Sequence, residues 1–361
     1  MVFSSSYDGH YARDLAHGFH DSGIQIGFIS LTNSSVPNWV ETFLANDFSS
    51  QFGGDIKIGK KIFRTMKVVR DFKPDIIQTH LFRGGIVGLF AGKLLGIPVI
   101  HTRHHIDEHY QSGTFVHRLV DRFVAKSADH VVVCSEAAKK WLVEVERVKE
   151  SHISVINQGF DFSHLNPTLE SIAKAKSSLG FSEENLNLIC VARYSKAKGQ
   201  DYLLKALSQL LQTNHNITLT LMGPGDSRWL FDLVDELNLS GYVRILNSRN
   251  DIPACIAASD VVIHPSLADS FSQLVIEVQA IGGVLIATNI AAAQEQIIDG
   301  VTGLIIPPRD SNAIAEAVIR LLNDPDLASS IRTNGPIHVR EKFAWQRMVS
   351  EEISCLESHL K

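Results

Sequence analysis

Two carboxylates eight positions apart, Asp269 and Glu277, carry the first chemical signal in this chain. They lie in the stretch 259–303, SDVVIHPSLADSFSQLVIEVQAIGGVLIATNIAAAQEQIIDGVTG. Its run VVIHP reads as a short buried strand. A second apolar run begins near Ser272 and ends at Gly282-Gly283. Ser270 or Ser272 can cap that helix, satisfying N–H groups that have no internal partner. Asp269 then stands just before the helix start, and Glu277 about two turns inside it. A helix start beyond a parallel strand favours an anion, above all phosphate. Carboxylates beside such a pocket would repel phosphate, so they are suited to receive hydroxyls. A sugar on one side and a ribose on the other would fit.

Arg193 and Lys198 follow the strand-like run LICVA within RYSKAKGQD, where Lys198-Gly199 opens a helix. Ligands of open parallel sheets bind beyond the C-terminal ends of the strands. Two cations there suit a diphosphate; a solvated basic turn is the plainer alternative. His101, His104, His105 and His109 crowd another loop with Asp107 and Glu108. That spacing permits a metal, but four loop histidines lack a fixed geometry. His264, inside VVIHPS, reads as a core or supporting residue.

Short apolar runs alternate with helical patterns along the whole chain, which predicts parallel, doubly wound sheets. The strands are MVFSSS, IQIGFISL, DIIQTHLF, IPVIHTRHH, HVVVCSE and ISVINQGFD in the first half. LNLICVARY, ITLTLMGPG, YVRIL, DVVIHP and LIIPPRD follow, and a helix closes the chain. With 361 residues, two domains are expected. A net charge of −5 argues against nucleic acid as a partner. The four cysteines are far apart and without CxxC, which suits buried reduced thiols in a cytoplasmic chain. No apolar stretch approaches the roughly 20 residues of a membrane span, and the N-terminus has no signal-peptide pattern. The segment 57–70 reads as a basic amphipathic helix bearing Lys57, Lys60, Lys61, Arg64, Lys67 and Arg70. Such a helix can lie on an anionic membrane surface, although a charged face is ordinarily a solvated one.

Asp269, Phe271, Glu277, Gly282-Gly283, Glu295, Gly300 and Gly303, in that order, resemble the donor-site segment of the family-4 retaining glycosyltransferases. The family's Glu-x7-Glu has Asp in its first place here, Ser270 and Ser272 stand for two glycines, and Ala291-Ala292 for a Gly-Gly pair. Its Arg-x4-Lys-Gly pattern is met at Arg193, Lys198 and Gly199, which leaves Lys196 as a decoy. The resemblance covers nearly the whole chain. It implies the GT-B fold: two doubly wound Rossmann-like α/β domains facing a central cleft. Residues 1–161 would bind the acceptor and 162–342 the nucleotide-sugar donor, with a C-terminal helix, 343–361, crossing back to the first domain.

The resemblance further implies a retaining, metal-independent hexosyltransferase without a cofactor, using a UDP-sugar ahead of a GDP-sugar. The acceptor would be a glycan or glycolipid in cell-surface polysaccharide, lipopolysaccharide or glycolipid synthesis, at the inner face of the cytoplasmic membrane. Catalytic roles fall to Arg193, Lys198, Asp269 and His104, the last beside the donor sugar. Gly9, Arg249, the backbone of Ser272, Gln273 and Leu274, and the Glu277 carboxylate would hold the donor, Arg249 at the base and Glu277 at the ribose. His80 and Arg83 could touch the acceptor. A sugar-nucleotide epimerase on the same fold and a catalytically inactive partner subunit are the alternatives.

Overall fold

The computed structural model describes residues 2–4, 10–31, 48–51, 58–104, 115–213, 216–269 and 271–360. They form two compact units, Met1–Asp161 with Phe343–Lys361, and Phe162–Lys342. The first unit holds strands β1 (Val2–Ser4), β2 (Gly27–Ser30), β3 (Phe48–Gln51), β4 (Ile77–His80), β5 (Val99–Arg103), β6 (His130–Val133) and β7 (Ile153–Val155). All pair in parallel, in the order β3-β2-β1-β4-β5-β6-β7. The second unit holds β8 (Leu186–Val191), β9 (Ile217–Met222), β10 (Val243–Leu246), β11 (Val261–His264), β12 (Leu285–Thr288) and β13 (Leu304–Ile306). These are parallel too, in the order β10-β9-β8-β11-β12-β13. Each sheet reverses its winding at one point, between β1 and β4 or between β8 and β11. Ligands of such sheets sit at that reversal.

Central strands such as β8 and β11 are apolar on both faces, as in a parallel sheet covered by helices on both sides. β8 sends Leu188 and Cys190 into one apolar cluster and Ile189 into another on the opposite face. Side chains alternate along a strand, so one short run feeds two cores. In the first unit, Ile100 and Val99 divide in the same way. The helix Trp345–Glu357 packs Met348, Val349 and Leu356 against Leu15 and Phe19 of the helix His10–Asp21. Buried Glu352 accepts from Gln78 Nε2 at 2.9 Å. Phe160 and Ala344 bridge beside each other, where the chain leaves and re-enters this unit.

Two expectations need correction. DIIQTHLF does not stay extended to Phe82: the strand ends at His80 and the helix Leu81–Leu95 starts at once. That abrupt turn puts Leu81 at φ 61°, a left-handed conformation that costs an L residue about 1–2 kcal/mol. Lys61 is not on an exposed basic face; it is buried, with Nζ donating to the Leu31 carbonyl at 2.9 Å. Lys60, Arg64, Lys67 and Arg70 of the helix Ile58–Phe72 are exposed, and Lys57 lies outside the described residues. The helix Pro325–Phe343 runs through Gly335-Pro336. A Cβ on Gly335 would lie 3.2 Å from the Gln279 carbonyl oxygen, so the glycine admits close packing against the helix Gln273–Ile281. Cys134, Cys190 and Cys255 are buried free thiols, and Cys355 is half-buried. Among the described residues no helix is long and apolar enough to cross a membrane.

Candidate functional site

In the second unit, the loops after β8 and β11 meet beside the reversal of the sheet. Gly199 is their point of contact. It has φ 67°, and a Cβ there would stand 2.0 Å from the Pro265 carbonyl oxygen, so no other residue fits without displacement. Leu267 N–H donates across the same junction to the Ala197 carbonyl at 2.8 Å. The outcome is an ion pair: Lys198 Nζ lies 2.8 Å from Asp269 Oδ2, both half-buried. Burial pushes the Asp269 carboxyl up, but His264 and Lys198 together outweigh it and hold the group below its ordinary value. Arg193 is exposed on the same loop, its guanidinium without a partner among the described residues. Lys196 is engaged elsewhere, with Nζ 3.9 Å from the centre of the Trp229 ring.

Ser272 occupies the N-cap of the helix Gln273–Ile281 but makes no side-chain cap bond. Its hydroxyl instead lies 3.2 Å from His264 Nε2, which is 3.7 Å from Asp269 Oδ2. The expected set of three phosphate-binding N–H groups is therefore reduced. Ser272 N–H already donates to Gln296 Oε1 at 3.2 Å, while those of Gln273 and Leu274 have no acceptor among the described residues. Gln296 also donates to the Ser272 carbonyl at 3.1 Å, and its own carbonyl accepts from Gln279 at 2.9 Å. Two buried amides thus set the loop before the helix. Glu277 accepts from Gln273 Nε2 at 2.6 Å one turn earlier. Arg249 is committed differently from the expectation. Its Nε and Nη2 pair with Asp251 at 2.7 and 2.6 Å, and Nη2 also donates to Ser178 at 3.0 Å. Those bonds raise its pKa further above its ordinary value and lower that of Asp251.

In the first unit the candidate histidines gather at the ends of β4 and β5. His80 Nδ1 is 3.1 Å from His104 Nε2, with the rings stacked 5.4 Å apart. His101 Nδ1 is 2.9 Å from Thr79 Oγ1. Burial, then the neighbouring histidines, keeps His80 well below its ordinary value. Burial, with Arg103 and His104, pushes His101 down to about 3. Both rings are therefore neutral at neutral pH and act through hydrogen bonds rather than charge. Arg83 is exposed in the first turn of its helix. Gly9, Ser270, His105, Asp107, Glu108 and His109 lie outside the described residues, and among those described no group of three or more His, Cys, Asp or Glu could hold a metal.

Comparison with known proteins matches residues 9–164 to the model described as Glycosyltransferase Family 4. Residues 171–338 match the model described as Glycosyl transferases group 1. The chain belongs to the family-4 glycosyltransferases. Among curated relatives, this glycosyltransferase is 26% identical to the D-inositol 3-phosphate glycosyltransferase of Corynebacterium urealyticum, covering 79% of this chain and 71% of that one. It is also 26% identical to the UDP-Gal:alpha-D-GlcNAc-diphosphoundecaprenol alpha-1,3-galactosyltransferase of Escherichia coli, covering 74% and 72%. Among solved structures, Anabaena HepE in complex with UDP superposes with a TM-score of 0.86 at 21% identity, covering 99% of each chain. The fold is GT-B.

Five supporting residues of the glycosyltransferase escaped sequence reading. Gln279 and Gln296 lie on helices whose amides look like ordinary polar positions. Buried Arg103, at the end of β5, pairs with Asp121 at 3.2 Å and Glu146 at 2.8 Å. The three are 18 and 25 positions apart along the chain, and no local pattern joins them. This cluster anchors the strand end that carries His104.

Proposed function

We propose that the chain transfers a hexose from a nucleotide-diphosphate sugar, UDP ahead of GDP, to a hydroxyl of a glycan or glycolipid, with retention and without a metal. The observation that carries the reading is the Lys198–Asp269 pair beside an uncapped helix start, 2.8 Å across, at the reversal of the second sheet. Lys198 and Arg193 neutralise the diphosphate as it departs, and the N–H groups of Gln273 and Leu274 receive its oxygens. Glu277 accepts from the ribose hydroxyls. Asp269, kept ionised, receives a sugar hydroxyl and faces the positive charge that develops at the anomeric carbon. The acceptor hydroxyl attacks from the face that the diphosphate leaves. The bond from the anomeric carbon to the phosphate oxygen breaks, the new glycosidic bond forms, and the phosphate takes the hydroxyl proton. His104 is assigned to a donor-sugar hydroxyl, and His80 and Arg83 to the acceptor. The committed guanidinium of Arg249 leaves it a weaker candidate for the base. UDP is favoured because the HepE structures hold UDP and UDP-glucose and the Escherichia coli relative is named for UDP-Gal. Cell-surface polysaccharide, lipopolysaccharide or glycolipid synthesis in the cytoplasm is the setting that fits such an acceptor.

Product analysis with UDP- and GDP-sugars in EDTA tests the proposal. We expect release of UDP, undiminished by the chelator, and a product sugar with the donor's anomeric configuration. A donor epimerised without nucleotide release would point to the epimerase instead. Loss of turnover in EDTA, restored by manganese, would overturn the metal-free reading.

A further inference from the structure

Three helices of the first unit, Ile58–Phe72, Leu81–Leu95 and Phe115–Ser127, lie side by side on one layer. Their outward faces are not those of an ordinary solvated surface. On the helix Phe115–Ser127, the positions turned outward are Phe115, Val116, Leu119 and Phe123, 49–72% exposed, with Arg122 and Lys126 on the same side. The neighbouring helix adds Phe90 and Leu94, and Phe90 stacks on Phe123 with ring centres 6.2 Å apart. The third adds Phe63, 72% exposed, between Lys60 and Lys67. Four of the five exposed phenylalanines among the described residues therefore lie on this one layer. A contiguous exposed apolar patch of this kind marks a docking surface.

The charges say what docks. The helix Leu81–Leu95 contains no acidic residue, and Asp121, the only one in Phe115–Ser127, is buried against Arg103. Ile58–Phe72 has a single acid, Asp71, in its last turn against four exposed cations, Lys60, Arg64, Lys67 and Arg70. Asp129, at the margin, is paired with Lys93 at 2.8 Å. The layer is strongly basic in a chain whose net charge is −5. Aromatic and leucine side chains protruding among lysines and arginines match an anionic bilayer, which takes the rings into its interface and the cations at its headgroups. We propose that this three-helix face docks the protein on an anionic lipid surface, with Phe115, Leu119 and Phe123 as the inserted anchors. The expected membrane helix 57–70 is then the margin of the contact rather than its centre. The inference extends the reading of a lipid-borne acceptor, but its physics and its test require neither donor nor acceptor.

Co-sedimentation with vesicles of phosphatidylcholine, alone and mixed with phosphatidylglycerol, tests it. We expect binding to the mixed vesicles, weakened by salt, and little to phosphatidylcholine alone. Replacing Phe115→Ser and Phe123→Ser together should weaken binding about tenfold or more. Arg122→Gln should weaken it about fivefold at low salt. Because these side chains are exposed, folding should survive, and an unchanged thermal midpoint and UDP response would verify that. Absence of binding to either vesicle overturns the proposal, as does binding that the serine variant leaves intact. So does a dimer in solution that the serine variant dissociates while vesicles are ignored, which would assign the face to a second copy. Failure of sugar transfer with vesicle binding intact would count against the proposed reaction and not against this surface.

Discussion

At the residue scale, Asp269 and Glu277 are alike in chemistry and differ in placement. Asp269 stands on the loop with Lys198, whereas Glu277 is within the helix, bonded to Gln273. Asp269→Asn should therefore lower kcat about a hundredfold, the scale for losing an oriented charge next to developing charge. Glu277→Gln should chiefly raise KM, about tenfold, because ribose contacts scarcely change during reaction. Steady-state kinetics with nucleotide binding measured separately distinguishes the two, and full turnover in Asp269→Asn would refute the assignment. His101 gives a pH prediction. In the unfolded chain its ring takes a proton near 6.5, but in the fold only near 3. Between those values the unfolded state binds the proton and the folded state does not, so stability falls as pH falls through that window. Thermal melts should show a shallower acid loss for His101→Gln than for the wild type. The sequence brought Lys198 and Asp269 to one sheet edge through strand-end placement. It did not tell that they pair, because the pairing depends on loops 71 residues apart touching at Gly199. Lys61 was misread for the same reason: composition shows a charge, and only the fold shows its partner.

At the element scale, β8 and β11 and the turns that follow them do most of the positioning. Gly199→Ala would force a left-handed alanine into the Pro265 carbonyl. The conformation alone costs about 1–2 kcal/mol, and the contact can be relieved only by parting the two loops. We expect a destabilised protein in urea titration and, among the folded molecules, turnover reduced toward that of a Lys198 variant. Wild-type activity in folded Gly199→Ala would show that the loop junction does not set the site. Strand positions were legible because parallel strands buried on both faces are apolar throughout. The helix Pro325–Phe343 was not legible. Asn334-Gly335-Pro336 ordinarily ends a helix, and here packing against Gln279 overrides that local preference.

At the scale of the whole molecule, alternation of strand and helix foretold two doubly wound sheets, and both sheets have the order of a dinucleotide-binding fold. The helix Trp345–Glu357, last in the chain, belongs to the first unit through its contacts with Leu15 and Phe19, a partnership that periodicity alone cannot assign. The central claim is that the second unit grips a nucleoside diphosphate with Arg193 and Lys198. Calorimetric titration of UDP into the wild type and the variants Arg193→Ala, Lys198→Ala and Lys196→Ala tests it most directly. The account predicts binding by the wild type and by Lys196→Ala, whose lysine rests on Trp229. Arg193→Ala and Lys198→Ala should each bind about tenfold or more weakly, the scale for losing one charge-assisted hydrogen bond. Equal affinity in all four proteins, or a folded wild type that ignores UDP, would contradict it.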